Sequence, residues 1–394
     1  MTTAVPETAE NILERVRALK PLLRENAAES ESQRRIAAAS FEALLEAGAF
    51  SLSVPRRFGG PSLPLRSVME IVTEIAEADA GAAWAVNLLN EGDWLAGLFP
   101  DQAQDDVFGG DVPARVATVL APTGTATRTD GGWRVSGEWP YSSGSLHATW
   151  AIVGVVFQDE AGEVVDQGIV ILPKSDFEIR DTWYVAGMRA SGSNTVVVSD
   201  KLVPDHRRMS TGPAIEGTYP AVERDVVHNS AFVPHLGLVL VGPLLGAARG
   251  ALQYVIEKSA TKGVAYTSIT RQADSVAFQL LVAEAAQLVD TAHLHAFRAA
   301  DDIDQAAAAG EYPDYLTRAR IRADIGTVAQ TVLRAFDVLL TAHGAGSFAD
   351  VNRLQRLWRD AETASRHAII LPTVGQEIYG KALVGAENDL TPLV

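Results

Sequence analysis

From Glu7 to about Phe50 the apolar positions recur at helical spacing. Ile12, Val16, Leu19 and Leu23 mark one face, and Ile36, Phe41, Leu44 and Leu45 mark another beyond Asn26 and the capping candidates Ser30 and Ser32. Pro55 and Gly59-Gly60 break the pattern, and two more helices are predicted over about 65–78 and 81–98. The second carries so few polar positions that it must be buried. Asp101 is placed to cap a short helix ending at Gly109-Gly110. Past Val112-Pro113 the period changes to short β-branched runs separated by turn residues, over 117–120, 125–128, 133–138, 150–157, 168–172, 178–180 and 195–202. That spacing predicts a small antiparallel β domain, a barrel or sandwich. From Pro234 onward long helical periods return. Phe278, Leu281, Ala285, Leu288 and Ala292 form a bundle seam, a second helix runs from Pro313 to a stop at Gly344-Ala345-Gly346, and a last one starts near Asn352. The expected architecture is α+β and multidomain: an N-terminal α-helical domain (1–113), a central antiparallel β-barrel (114–212) and a C-terminal four-helix bundle (213–394).

The segment 229–248 holds no Asp, Glu, Lys or Arg, about the length that spans a bilayer. Pro234, Pro243 and close-packing positions at Gly242, Gly246 and Gly250 make it a buried bundle helix instead. A formal net charge of −16 argues against nucleic acid or an anionic membrane as partner. With 0 cysteines, disulfides, thiolate metal sites and thiol catalysis are excluded. The first residues show no basic-then-apolar leader, so cytoplasm is the expected location.

Most motif-like features fall to simpler explanations. Gly344-Ala345-Gly346-Ser347-Phe348-Ala349 matches G-x-G-x-x-A but follows a helix, so it is a helix end rather than a dinucleotide loop. His293 and His295 stand about 200° apart around a helix and cannot chelate one metal. His228 and His343 are expected to be structural or exposed, and no G-x-S-x-G elbow occurs.

Three stretches are too specific to set aside: 131–150 (GGWRVSGEWPYSSGSLHATW), 183–194 (WYVAGMRASGSN) and 354–367, with Arg359-Asp360 and His367. In the first, small hydroxyls, a glycine and flat aromatic rings on one strand and loop suit a planar ligand with a polar edge. Together the three resemble the acyl-CoA dehydrogenase superfamily, and within it the flavin-dependent monooxygenases of two-component systems, along nearly the whole chain. Where many acyl-CoA dehydrogenases carry a glutamate base near the end of this last stretch, the sequence reads His367-Ala368-Ile369. A histidine here and Ser143-Gly144 in the β-region loop match the monooxygenase branch.

The resemblance implies reduced FMN or FAD delivered by a separate flavin reductase, and O2 converted to a flavin C4a-hydroperoxide that hydroxylates an aromatic or polyketide-like small molecule. N- or S-oxygenation, or an acyl-CoA dehydrogenase-type reaction, are the alternatives. It implies catalytic roles for Ser143, near flavin N5, and for His367, which would polarise the peroxide or take a substrate proton. Cofactor contacts are implied for Ala121, Pro122, Thr123, Trp139, Ser142, Ser143, Gly144 and Arg359. No metal is implied, and a homotetramer with flavin at a subunit contact is expected. Phenol-hydroxylating relatives commonly carry a second histidine where Gly92 stands, so Glu91, Asp93 and His147 are weaker candidates for the substrate pocket.

Overall fold

Helices open the chain in the computed structural model, which describes residues 7–218 and 224–394. Residues 1–6, on which the absence of a leader partly rests, lie outside the described residues. The N-terminal helices are α1 (Ala9–Gln33), α2 (Ala38–Glu46), α3 (Leu65–Ala76), α4 (Ala80–Ala96) and α5 (Asp101–Phe108). Seven strands follow: β1 (Val116–Thr129), β2 (Gly132–Ser142), β3 (Trp150–Gln158), β4 (Val164–Pro173), β5 (Glu178–Arg180), β6 (Asn194–Val203) and β7 (Arg208–Ser210). The chain then returns to helices: α6 (Gly212–Ile215), α7 (Phe232–Leu238), α8 (Gly242–Ser259), α9 (Val276–Ala309), α10 (Tyr315–His343), α11 (Arg353–Ala364) and α12 (Pro372–Val384).

Local chemistry explains most of the ends. Asp79 caps α4 by accepting from the Ala82 amide at 3.0 Å, and Asp314 caps α10 through Thr317 at 2.7 Å. Ser30 and Ser32 do not cap a second helix. α1 continues through them to Gln33 and turns at Arg34, which adopts a left-handed conformation. The buried Ser30 hydroxyl instead bonds Asn26 O and accepts the Ala37 amide, bridging the turn. α12 was not expected from the periodicity.

Two features of the sheet differ from expectation. The strand order is β5-β6-β2-β1-β3-β4-β7, an open sheet rather than a closed barrel. It is also mixed, because β1 and β3 pair in parallel from Val116 with Trp150 to Thr127 with Gln158. The runs 117–120 and 125–128 are one strand, bulged between Val119 and Gly124 where Ala121-Pro122-Thr123 intervene. Proline cannot donate a ladder bond, so the bulge is where the pairing is released.

The helices before and after the sheet share one hydrophobic core, running from Ile12 on α1 through α3, α4 and α8 to Ile370. The apolar stretch 232–259 is among its most enclosed parts, with 89% of its most apolar window buried inside the protein. Pro234 and Pro243 sit in the first turns of α7 and α8, where the missing amide costs nothing. Close contact decides the glycines: a Cβ at Gly246 would stand 2.2 Å from Thr73 O, and one at Gly250 2.4 Å from Glu77 O. Across the same interface Lys20 bridges Glu74 and Glu77 at 2.6 and 2.7 Å, with Arg249 of α8 on Glu77.

Gly246→Ala is therefore expected to lower stability by about 2 kcal/mol or more, since the obstacle is backbone. Gly110→Ala, with nothing within 4 Å of its Cβ, is expected to stay within about 0.5 kcal/mol of the parent. Denaturant midpoints of the two variants measure the difference; equal midpoints would mean that α8 and α3 have room to part.

Candidate active site

α4 runs through the middle of the molecule with all of its residues buried. Residual exposure on it is confined to Trp84 (6%), Leu88 (7%) and Glu91 (7%), while its other non-glycine residues are at most 1% exposed. Positions i, i+4 and i+7 lie on one face of a helix, so these three form one stripe, and the space beside it is the candidate cleft.

At the N-terminal end of that stripe, the Trp84 indole N–H donates to Ser143 Oγ at 3.0 Å. The same ring lies 6.2 Å from the His367 imidazole, tilted by 55°. Trp84 is thus the piece that joins the β2 loop to the segment after α11. Sequence reasoning missed it, because a tryptophan inside an apolar helix reads as core. Its place at the polar margin of that helix was the signal available.

Ser143 follows β2, and its loop is set by backbone. Gly144 adopts φ +70° with a Cβ position 2.8 Å from Leu89 Cγ, and its amide bonds Ser191 O at 2.8 Å. Ser143 Oγ is 2.8 Å from Ser193 Oγ, which is 2.7 Å from Ser191 Oγ, which donates to Met188 O at 2.7 Å. Met188 is held in turn by α11: its amide donates to Asp360 Oδ1 at 2.6 Å. Gly187 packs so closely on α11 that a Cβ would stand 2.0 Å from Arg359 O. Ser142, buried, pairs with Asn194 at the end of β2. Tyr141, at φ +67° and exposed, stands edge-on to Trp183 at 6.1 Å and offers a free aromatic face beside the loop.

His367 caps the short turn that begins at Ala368, its Nδ1 accepting the Ile369 amide at 3.3 Å. That bond leaves the neutral ring's proton on Nε2. His367 is exposed at the surface, although protein atoms crowd most of the ring's surroundings. This enclosure, with the Arg322 guanidinium nearby, lowers its pKa to about 4, so it is uncharged at neutral pH. Glu91 shows the opposite displacement with the same result. Burial among apolar groups raises its carboxyl to about 8, and Oε2 has no partner.

The remaining sequence candidates lie elsewhere. Asp93 and His147 stand apart from the stripe, around Arg115. Asp93 is fully buried, with Arg115 as its charged neighbour and the Val116 backbone beside it, and burial raises its carboxyl well above the usual range. Arg115 Nε bonds His147 O at 2.7 Å, and His147 stacks on Phe41 at 4.5 Å. Gly92 holds no side chain because a Cβ there would meet Val116 O at 1.8 Å.

Trp139 does not line the cleft. It is 0% exposed, packed over Gly124 and Gly137 with its N–H on Gly154 O at 2.7 Å, so it belongs to the sheet interior. Ala121, Pro122 and Thr123 form an exposed shelf on the β1 bulge, tied to β2 by Thr123 Oγ on Glu138 O. Arg359 is occupied as a clamp between Glu31, Gln355 and Ala186 O. His228 and His343 are both buried and structural in setting: His228 fills the space over Gly97, and His343 meets Asn352 at 3.1 Å. Among the described residues, no group of three or more His, Cys, Asp or Glu could hold a metal ion. Two other depressions, of about 800 and 510 Å³, lie along 386–394 and beside Asp304, and contain none of these residues.

Comparison with known proteins identifies the family. Residues 238–372 match the family described as acyl-CoA dehydrogenase, C-terminal domain. The flavin-dependent monooxygenase oxygenase subunit HsaA of Rhodococcus jostii is 34% identical over 376 residues, covering 95% of this chain and 98% of the relative. The oxygenase component of an FADH2-dependent resorcinol hydroxylase from a Rhizobium species is 30% identical, covering 95% and 94%. The structure of XiaF from a Streptomyces species, solved with FADH2 and glycerol, superposes with a TM-score of 0.92 at 36% identity, covering 97% of each chain. This chain belongs to the oxygenase components of flavin-dependent monooxygenases, on the acyl-CoA dehydrogenase fold.

Proposed function

We propose that this protein takes reduced FMN or FAD from a separate reductase and uses it with O2 to hydroxylate an aromatic small molecule in the cleft beside α4. The observation that carries the reading is the meeting of Ser143 and His367 across Trp84, with His367 and Glu91 both uncharged at neutral pH. The residues suit a planar ring with polar edges. Tyr141 offers a face for stacking, the shelf at 121–123 is exposed on the β1 bulge, and Ser143 keeps one free lone pair. When bound, reduced flavin would supply the electrons that activate O2.

The protein's own part is to hold, orient and keep dry. His367, with its proton on Nε2, donates a hydrogen bond to an oxygen atom in the cleft; this favours polarisation over proton abstraction as its role. Glu91, two helical turns along the same face and about 10 Å from Trp84 at 1.5 Å per residue, is a neutral acid that donates to a substrate carbonyl or hydroxyl. The same protonation weighs against an acyl-thioester dehydrogenase, whose base would have to be ionised.

With reduced flavin, O2 and a panel of phenols and fused-ring aromatics, His367→Ala is expected to lower hydroxylated product about 100-fold, while oxygen uptake continues as hydrogen peroxide. A variant hydroxylating at the parent rate would remove His367 from the reaction.

Glu91 gives a test independent of turnover. Because folding raises its pKa from 4.5 to about 8, the folded chain favours the protonated form. The stability this represents is full below pH 4.5 and is lost as pH rises to about 8. Glu91→Gln avoids that loss. Its stability advantage should grow between those limits to a few kcal/mol, at roughly 1.4 per pH unit, and then level off. An advantage that is constant from pH 5 to 8 in thermal melts would place Glu91 in contact with solvent.

The outward apolar positions Val276, Leu280 and Leu294 of α9, all more than 60% exposed, support assembly as a homotetramer. Light scattering is expected to give four times 42.0 kDa, and a mass of one chain at micromolar concentration would refute the assembly.

A further inference from the structure

The hydroxyls behind Ser143 form a chain whose direction is fixed at both ends. The Trp84 indole can only donate, and the Met188 carbonyl can only accept. Ser191 spends its single proton on Met188 O at 2.7 Å, a carbonyl that also receives the Trp183 indole at 2.9 Å. In the 2.7 Å contact between Ser191 and Ser193, the proton therefore comes from Ser193. By the same count, the proton in the 2.8 Å contact between Ser193 and Ser143 comes from Ser143. Ser143 also accepts from Trp84 at 3.0 Å. Its proton and one lone pair are used, and one lone pair remains.

We propose that this polarised chain makes Ser143 an acceptor-only contact, so that the site discriminates between redox states of the flavin, with Ser193 and Ser191 as positioning residues. The inference rests on the proposed flavin site with N5 facing Ser143. A reduced isoalloxazine carries a hydrogen on N5 and can donate to the remaining lone pair. An oxidised ring presents a bare lone pair at N5, and two acceptors then face each other. Met188 is the fixed end of the device. Its amide is held on Asp360 at 2.6 Å and the preceding glycine is pressed against α11, so the terminal acceptor cannot turn away. Ser143, Ser191 and Ser193 are all at most 4% exposed, which keeps water from supplying a substitute acceptor.

The test is anaerobic measurement of dissociation constants for oxidised and reduced FMN and FAD, with no turnover. Ser193→Ala removes the acceptor of the Ser143 proton, which becomes free to donate to an oxidised N5. Oxidised flavin should then bind about 3- to 10-fold more tightly, the worth of one neutral hydrogen bond, and the preference for the reduced form should shrink by that factor. Ser191→Ala should act in the same direction, since Ser193 can then donate to Ser143; it serves if the first variant does not fold. Trp84→Phe, which frees a lone pair but no proton, should not raise oxidised-flavin affinity. Ser143→Ala should lose reduced-flavin affinity and relieve the acceptor–acceptor clash with the oxidised ring, so that the preference for the reduced form shrinks. If both serine variants bind both redox forms with the parent's ratio, the polarity of the chain has no influence and the proposal is overturned. If the parent binds neither form, the flavin reading itself fails, a result distinct from an unchanged ratio.

Discussion

The structure depends on one buried line of hydrogen bonds, from Trp84 through Ser143, Ser193, Ser191 and Met188 to Asp360. It begins on α4, crosses the loops after β2 and before β6, and ends on α11, so all three sections of the chain contribute. Each group in it is buried, and an unmet polar group in such a place costs about 1–3 kcal/mol. The sections therefore dock in the one arrangement that completes the line. That arrangement also brings His367 to the Trp84 ring. Assembly of the fold and assembly of the site are the same event.

Close backbone approach does the complementary work. α4 touches β1 at Gly92, and α8 touches α3 at Gly246, in both cases at distances no side chain allows. With α4 seated this tightly against its neighbours, the space left over is the stripe of Trp84, Leu88 and Glu91. The same contact leaves α4 without a side chain at Gly92. The polar group that α4 presents on that stripe is Glu91, one residue away.

Burial also sets the chemistry of the cleft. Desolvation lowers His367 to about 4 and raises Glu91 to about 8, so neither carries charge at neutral pH. The buried histidines His228, over Gly97, and His235, stacked on Trp94, are pushed down by the same cause, to about 4 and about 3. His367 and Glu91 therefore offer a neutral donor and a neutral acid, with the Arg322 guanidinium as the charge nearest His367. The strong ion pairs sit at a distance from it, as in the Lys20, Glu74, Glu77 and Arg249 network between α1, α3 and α8.

Apolar period and turn residues alone determined the order of helices, strands and helices, the burial of α4 and of the stretch from 232, and the tight packing at Gly242, Gly246 and Gly250. The resemblance of three short stretches then picked out Ser143 and His367. These features are legible because they are local: a helix face repeats every three or four residues, and a motif is contiguous. What covers each face is a long-range matter, and there the structure decided. It paired β1 with β3 in parallel, turned Trp139 inward and Trp84 toward the site, and committed Arg359 to Glu31. It also separated Glu91 from Asp93, two residues and about 200° apart on one helix, placing one on the cleft and the other beside Arg115. Composition makes those two carboxylates equivalent; only the neighbours that pack around α4 distinguish them.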